Sequence, residues 1–181
     1  MTLPSERRFA GVLAHHDGAV ILVRESHDRW GGEFWNLPSG MVEAHETPAE
    51  GAARELAEET GLVVSSRSLR LRTTTSVEVD GVPLHSWNFE VDVDDPAVQV
   101  QDPDLLVQEA RWFSLDQAIV LLRLLPYRPL ADPAVATLTT AATGTSHWTF
   151  ASPEADPHVS LERLDKTPSL DVRICRCSDE T

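Results

Sequence analysis

The chain has 181 residues, 41% of them hydrophobic and 24% charged, and a formal net charge of −14. Those proportions are ordinary for a globular chain, and the length suits one domain, or one domain with a tail. The negative balance repels phosphate backbones, which argues against a nucleic-acid partner. It leaves small anionic substrates open wherever a local cation screens them. No apolar run is long enough to cross a membrane. The N-terminal stretch MTLPSERRFAG lacks the apolar segment and cleavage signal of a secretory leader, so the expected location is the cytoplasm.

In chain order, RFAGVLA and AVILVRE read as two strands joined by the turn signal HHDG, a hairpin of Phe9–Ala14 with Ala19–Arg24. The segment SHDRWGGEFWNLPSG reads as a loop with a short extended piece around Phe34–Leu37. A helix follows over Pro48–Thr60. Thr47 is its N-cap, Pro48 suits its first position, Glu50 completes a T-x-x-E capping box, and Gly61 fits a left-handed terminus. SLRLRTTTSVEV and LHSWNFEVDV read as long strands around a DG turn. Residues 92–109 read as an acidic loop, ARWF as a short strand, and SLDQAIVLLRLL as a serine-capped helix that PYRPLADP ends. From Ala131 the composition turns small and polar, with HWTF and SLDVRIC as short strand candidates. The expected division is a domain over 1–130 and a C-terminal extension over 131–181 packed on it or extending it. Cys175 and Cys177, in CRC, match neither a structural disulfide nor a zinc pattern and read as reduced thiols.

The helix carries the chemistry. At about 100° per residue, Glu55, Glu58 and Glu59 fall within about 100° of arc. Ala49, Ala53, Leu56 and Thr60 lie on what reads as a separate packing face. A stripe of acids alone also suits a solvated surface. The spacing around it decides the reading: Gly40, five residues, Glu46, seven residues, Arg54, Glu55, Leu56, one residue, Glu58, Glu59, one residue, Gly61, Leu62.

This pattern, G-x5-E-x7-R-E-U-x-E-E-x-G-U with U a bulky aliphatic, resembles a complete Nudix box. The upstream WNLPSG resembles the Pro-Gly-Gly turn that precedes such boxes, with Ser39 in place of the first glycine. The resemblance runs over about Arg8 to Leu125. It implies an α/β/α sandwich around a mixed β-sheet and a hydrolase that cleaves a diphosphate linked to a nucleoside or similar group. It implies Mg2+, with Mn2+ as a substitute, held by Glu55, Glu58, Glu59 and the Ser39 carbonyl. Carboxylates are the ligands such a hard cation takes, and the cation offsets the charge that repels an attacking hydroxide. Glu46 and Arg54 are implied as an ion pair that orients the glutamates. The general base is either a box glutamate or an acid of the later loop, where Asp102, Asp104 and Glu109 are the candidates and Glu109 ranks first. Trp30, Trp35, Trp87 and Phe89 are candidates to stack on a base. The ADP-ribose type has a proline downstream of the box where Val77 stands here; the NADH and coenzyme A signatures are also absent. The expected partner is therefore a small nucleotide-type molecule, with a homodimer left open. The alternatives are a Nudix-fold sensor without turnover, which usually loses box glutamates, and an isomerase of isopentenyl-diphosphate type, which needs a cysteine ahead of the box.

Overall fold

A computed structural model describes residues 6–27, 31–140 and 144–162. Strands β1 (Arg7–His16) and β2 (Ala19–His27) form the expected hairpin. Asp17 and Gly18 both have positive φ, 47° and 78°, the two-residue turn that follows the right-handed strand twist. Short strands β3 (Gly32–Asn36) and β4 (Ser39–Met41) pair antiparallel with β2 and β1. Helix α1 runs Pro48–Thr60, as its caps predict. Beyond a 3-10 turn at Ser66–Ser68, β5 (Arg70–Val79) and β6 (Val82–Asp92) pair around Asp80–Gly81, again with positive φ at both residues. Strand β7 (Val107–Ser114) is longer than ARWF alone suggests, because it pairs along β2 from Ala19 to Glu25.

Among the described residues nine strands make one sheet. Its main order is β3-β2-β1-β6-β5-β8-β9, with β7 beside β2 and β4 beside β1. The β1–β6 and β5–β8 pairs are parallel and the others antiparallel, so the sheet is mixed. Alternation along each strand sends successive side chains to opposite faces. Ala10, Val12, Ala14 and Ile21 pack with Ala52 and Leu56 of α1 on one face. Leu13, Val20 and Leu22 pack on the other with Ala118 and Leu122 of α2 (Leu115–Leu122) and Ala131 and Ala134 of α3 (Arg128–Thr139). This is the α/β/α sandwich the resemblance implies.

Helix α3 differs from the expectation. PYRPLADP does not leave the helical region after α2: its residues 128–133 form the first half of α3, which runs across the division drawn at residue 130. Pro129 lies in the first turn, where a missing N–H costs no helical hydrogen bond. Burial of Pro129, Ala131, Pro133 and Ala134 outweighs the break in the ladder at Pro133. After it, β8 (Thr145–Phe150), which contains HWTF, joins β5 in parallel, and β9 (His158–Glu162) pairs with β8. The candidate strand SLDVRIC, both cysteines and Trp30 lie outside the described residues. No helix among the described residues is long and apolar enough to cross a membrane.

Candidate active site

Local sequence fixes where α1 begins and ends. The Thr47 hydroxyl accepts the Glu50 N–H, and the Glu50 carboxylate accepts the Thr47 N–H at 2.8 Å. At the other end Gly61 takes φ 80°, and a Cβ there would meet the Gln99 carbonyl at 2.7 Å. Two further bonds tie the 93–106 loop to that end, Gln99 N–H to the Thr60 carbonyl and Gln101 N–H to the Glu58 carbonyl, both 2.8 Å.

Arg54 is the hub of the polar face. Its Nε and Nη2 donate to Glu46 at 2.9 and 3.1 Å, and Nη2 also donates to the Met41 carbonyl at 2.8 Å. Its Nη1 reaches Glu55 at 2.8 Å and Glu58 at 3.0 Å. One guanidinium thus spends all three nitrogens on the segment 41–46 and two box glutamates. Its bond to Glu46 holds that carboxyl below the ordinary carboxylate range. Gly40 lies against the Glu55 carboxylate so closely that a Cβ there would collide with it. Gly51 admits the 42–46 segment in the same way, with Glu46 Oε2 3.2 Å from where its Cβ would be.

Glu59 differs from its neighbours and from the expected arrangement. The acidic stripe and the packing face are not separate, because Glu59 lies within the packing face, 7% exposed, beside Ala52 and Leu56. The wheel angles explain this: Glu59 is only about 20° from Ala52. Its Oε2 accepts the Ser39 N–H at 2.8 Å. Burial, and next the charge of Glu25, push its carboxyl up to about 10, with Glu55 and Asp102 adding to the rise against the Ser39 bond. Burial also raises Glu55, which Arg54 partly offsets. The face therefore gathers more negative charge than its one guanidinium compensates. Hard oxygen donors with a charge deficit suit a divalent cation of the Mg2+ type, so the donor set fits the metal the resemblance implies.

The ligand atoms of Glu43, His45 and Glu46 also lie within 4.8 Å of one another. Glu43 and His45 are exposed there, and Glu46 already binds Arg54 and the Glu43 N–H. That group is the weaker cation site.

The structure thus brings together Glu46, Arg54, Glu55, Glu58, Glu59 and Ser39. It does not bring Glu109 to them. Glu109 stands opposite Arg24 on the face that carries Val20, Leu22 and Phe113, the α2 side, and it pairs with Arg24 at 3.3 Å and with Arg111. Its nearness to ARWF in sequence says nothing about which face of β7 it occupies. Asp102 is the loop acid whose charge bears on Glu55 and Glu59, although its oxygens already accept the N–H groups of Asp104, Leu106 and Val107. Of the aromatic candidates, Phe89 is buried in the core, Trp87 packs against the same cluster under Arg8, and Trp35 sits edge-on to Phe113 at 4.7 Å.

Two residues near Glu59 were not legible as site residues. Glu25 is 6% exposed and Asn36 is 3% exposed. Asn36 Nδ2 donates to Glu25 at 3.4 Å and lies 3.5 Å from the Ser39 hydroxyl, while its Oδ1 accepts the Leu37 N–H at 2.7 Å. In sequence Glu25 is one more polar residue at a strand end, and only the pairing of β2 with β3 brings it to Asn36.

The NUDIX domain family matches residues 4–138, three quarters of the chain. The chain belongs to the Nudix family. It is 30% identical to the phosphatase NudJ of Escherichia coli strain K12 over 107 residues, 59% of this chain and 67% of that protein. A Nudix hydrolase structure from Nitrosomonas europaea superposes with a TM-score of 0.61 at 22% identity, covering 74% of this chain and 70% of the other. The Nudix domain of Shewanella oneidensis NrtR, solved with ADP ribose, superposes at 0.57 with 21% identity over 77% and 91% of the two chains. The protein is a Nudix hydrolase, with the fold those structures share and the box glutamates on α1.

Proposed function

We propose that this Nudix hydrolase cleaves the diphosphate bond of a nucleoside di- or triphosphate or a related nucleoside diphosphate-linked compound, with Mg2+ bound at Glu55, Glu58, Glu59 and the Ser39 carbonyl. The observation that carries the reading is the charge balance at α1. Three box carboxylates converge beside a single arginine, and the deepest, Glu59, has no ion pair among the described residues. When bound, the cation supplies charge neutralisation at the phosphates and acidifies a water.

The chain's own residues hold and orient. Arg54 fixes Glu55 and Glu58 in register with Glu46, and the Ser39 N–H holds Glu59. Glu58, the most exposed of the three at 33%, is the carboxylate we assign to receive the proton of the attacking water. The face carries no further base candidate from the loop except Asp102, whose role is to hold residues 104–107 and to add negative charge near the site. The neighbour solved with ADP ribose supports a nucleotide-type ligand, and the name of the NudJ relative as a phosphatase supports hydrolysis at a phosphate.

The test is phosphate or pyrophosphate release from nucleoside triphosphates, dinucleoside polyphosphates and nucleotide sugars, with Mg2+ or with EDTA. Release is expected with Mg2+ only, and Glu58→Gln and Glu59→Gln are each expected to lower kcat/KM by more than about 100-fold, the scale of several kcal/mol of lost stabilisation. Release that persists in EDTA, or in both variants, would sink the reading. Nucleotide binding without release from any compound would make the protein a sensor.

A further inference from the structure

We propose that the outer edge of β9 docks a second copy of this chain, paired antiparallel about Ser160 so that two sheets join into one. The proposal does not depend on the reaction. Strand β9 (His158–Glu162) ends the sheet order, and all of its residues are exposed. Its inner edge pairs with β8 without a register shift, and among the described residues no strand pairs with its outer edge. Backbone N–H and C=O groups on such an edge are a template for another strand. Sheets that stay single guard an edge with lysine, proline or a bulge. The β9 sequence HVSLE has none of these. It carries two large apolar side chains instead, Val159 at 41% and Leu161 at 64% exposure.

The sequence of the edge selects its partner, because HVSLE is complementary to itself reversed. With Ser160 opposite the partner's Ser160, Val159 faces the partner's Leu161 and His158 faces the partner's Glu162. A two-fold axis repeats both pairs. Val159 stands beside Trp148, which stacks on the buried Phe150 at 15°. The partner's Leu161 thus extends an apolar stripe that already runs outward from the core. On the other face Glu162 lies 3.4 Å from His147 of its own chain, and the partner's His158 adds a second imidazole. An imidazole N–H donates to a carboxylate in either charge state. A parallel pairing in register would instead set His158 against the partner's His158 and Glu162 against the partner's Glu162, and like charges directly opposite destabilise a sheet.

The experiment is sedimentation of the full chain over a range of concentrations at about 0.15 M salt, where repulsion between the two net charges is screened beyond about 8 Å. A short strand pair buries less than the roughly 1,200 Å² of a standard interface, so the parent is expected to dimerise with a Kd of roughly 10–100 µM. His158→Glu sets two acids against each other, and Glu162→Lys sets a lysine against an imidazole. Each variant alone is expected to dimerise at least about tenfold more weakly, and their equimolar mixture to recover the parent's affinity within about threefold, because every opposed pair is then of opposite sign. Should either variant fail to fold, Leu161→Lys sets a charge against the partner's Val159 and is expected to stay monomeric. A parent that is monomeric at every concentration overturns the proposal and leaves the edge to residues 163–181 or to another protein. Dimers of unchanged affinity in His158→Glu, Glu162→Lys or Leu161→Lys overturn it too, as does a mixture that stays monomeric. Species larger than a dimer also overturn it, since they require the β3 end of the sheet.

Discussion

Arg54 shows how one side chain turns a helix surface into a site. A stripe of glutamates repels itself at i,i+4 spacing, and a solvated face tolerates that cost. Here the guanidinium is held between Glu46, Glu55 and Glu58, and those bonds keep it charged. Glu46 touches no box carboxylate in this network and acts through Arg54. Replacing it by glutamine leaves Arg54 one weaker anchor, so the expected loss in kcat/KM is roughly 10- to 100-fold, the range for partners that orient a metal's ligands. The same variant should keep its melting temperature within a few degrees, because Glu46 lies at the edge of the site and not in the core. A loss of fold as large as the loss of activity would show that the pair is a structural clamp only.

At the scale of the element, α1 starts where it does because Thr47 and Glu50 satisfy each other's backbone N–H groups. Thr47→Ala is expected to cost about 1 kcal/mol by denaturant unfolding. The Glu50 half of the box makes a pH-dependent contribution. Its bonds from the Thr47 N–H and hydroxyl hold the carboxyl below the ordinary range. A carboxyl lowered in the folded state stabilises above its unfolded value, and that contribution disappears as pH falls through the folded value. The gap in melting temperature between the parent and Glu50→Gln should therefore be present at pH 7 and smaller in acid, at a pH below the ordinary glutamate range. An equal gap at both values would mean that the carboxylate's charge is not what matters. The caps of α1 were readable because they are local. Glu59's burial was not, since it depends on how the helix is rotated against β1 and β4.

For the whole molecule, β8 and β9, beyond the division at residue 130, belong to the sheet. β8 lies along Thr73–Val77 of β5, α3 covers β5 and β8 on one face, and Phe150 is 2% exposed. A chain ended at Thr140 would bare the β5 edge and lose that phenylalanine. The expected cost is at least about 3 kcal/mol, the lower range for losing a buried phenylalanine, with association through the open edge at higher concentration. Denaturant unfolding and light scattering of the shortened chain test it. A shortened chain as stable and monodisperse as the parent would make residues 141–181 an independent appendage. The sequence-level division at residue 130 followed a change in composition. Composition does not reveal that small, polar residues such as Thr145 and Ser146 can form a strand when a neighbouring edge supplies the pairing.

The sequence by itself determined the Nudix box, the span of its helix and the hairpin turns. These follow from spacing, caps and dihedral preferences within a few residues, where chain geometry leaves little choice. Tertiary structure alone decided which acids share a face. It buried Glu59 against the sheet, sent Glu109 to the α2 side, and carried Glu25 to Asn36. Strand register sets the face of every residue, and pairing partners far apart in the chain set the register.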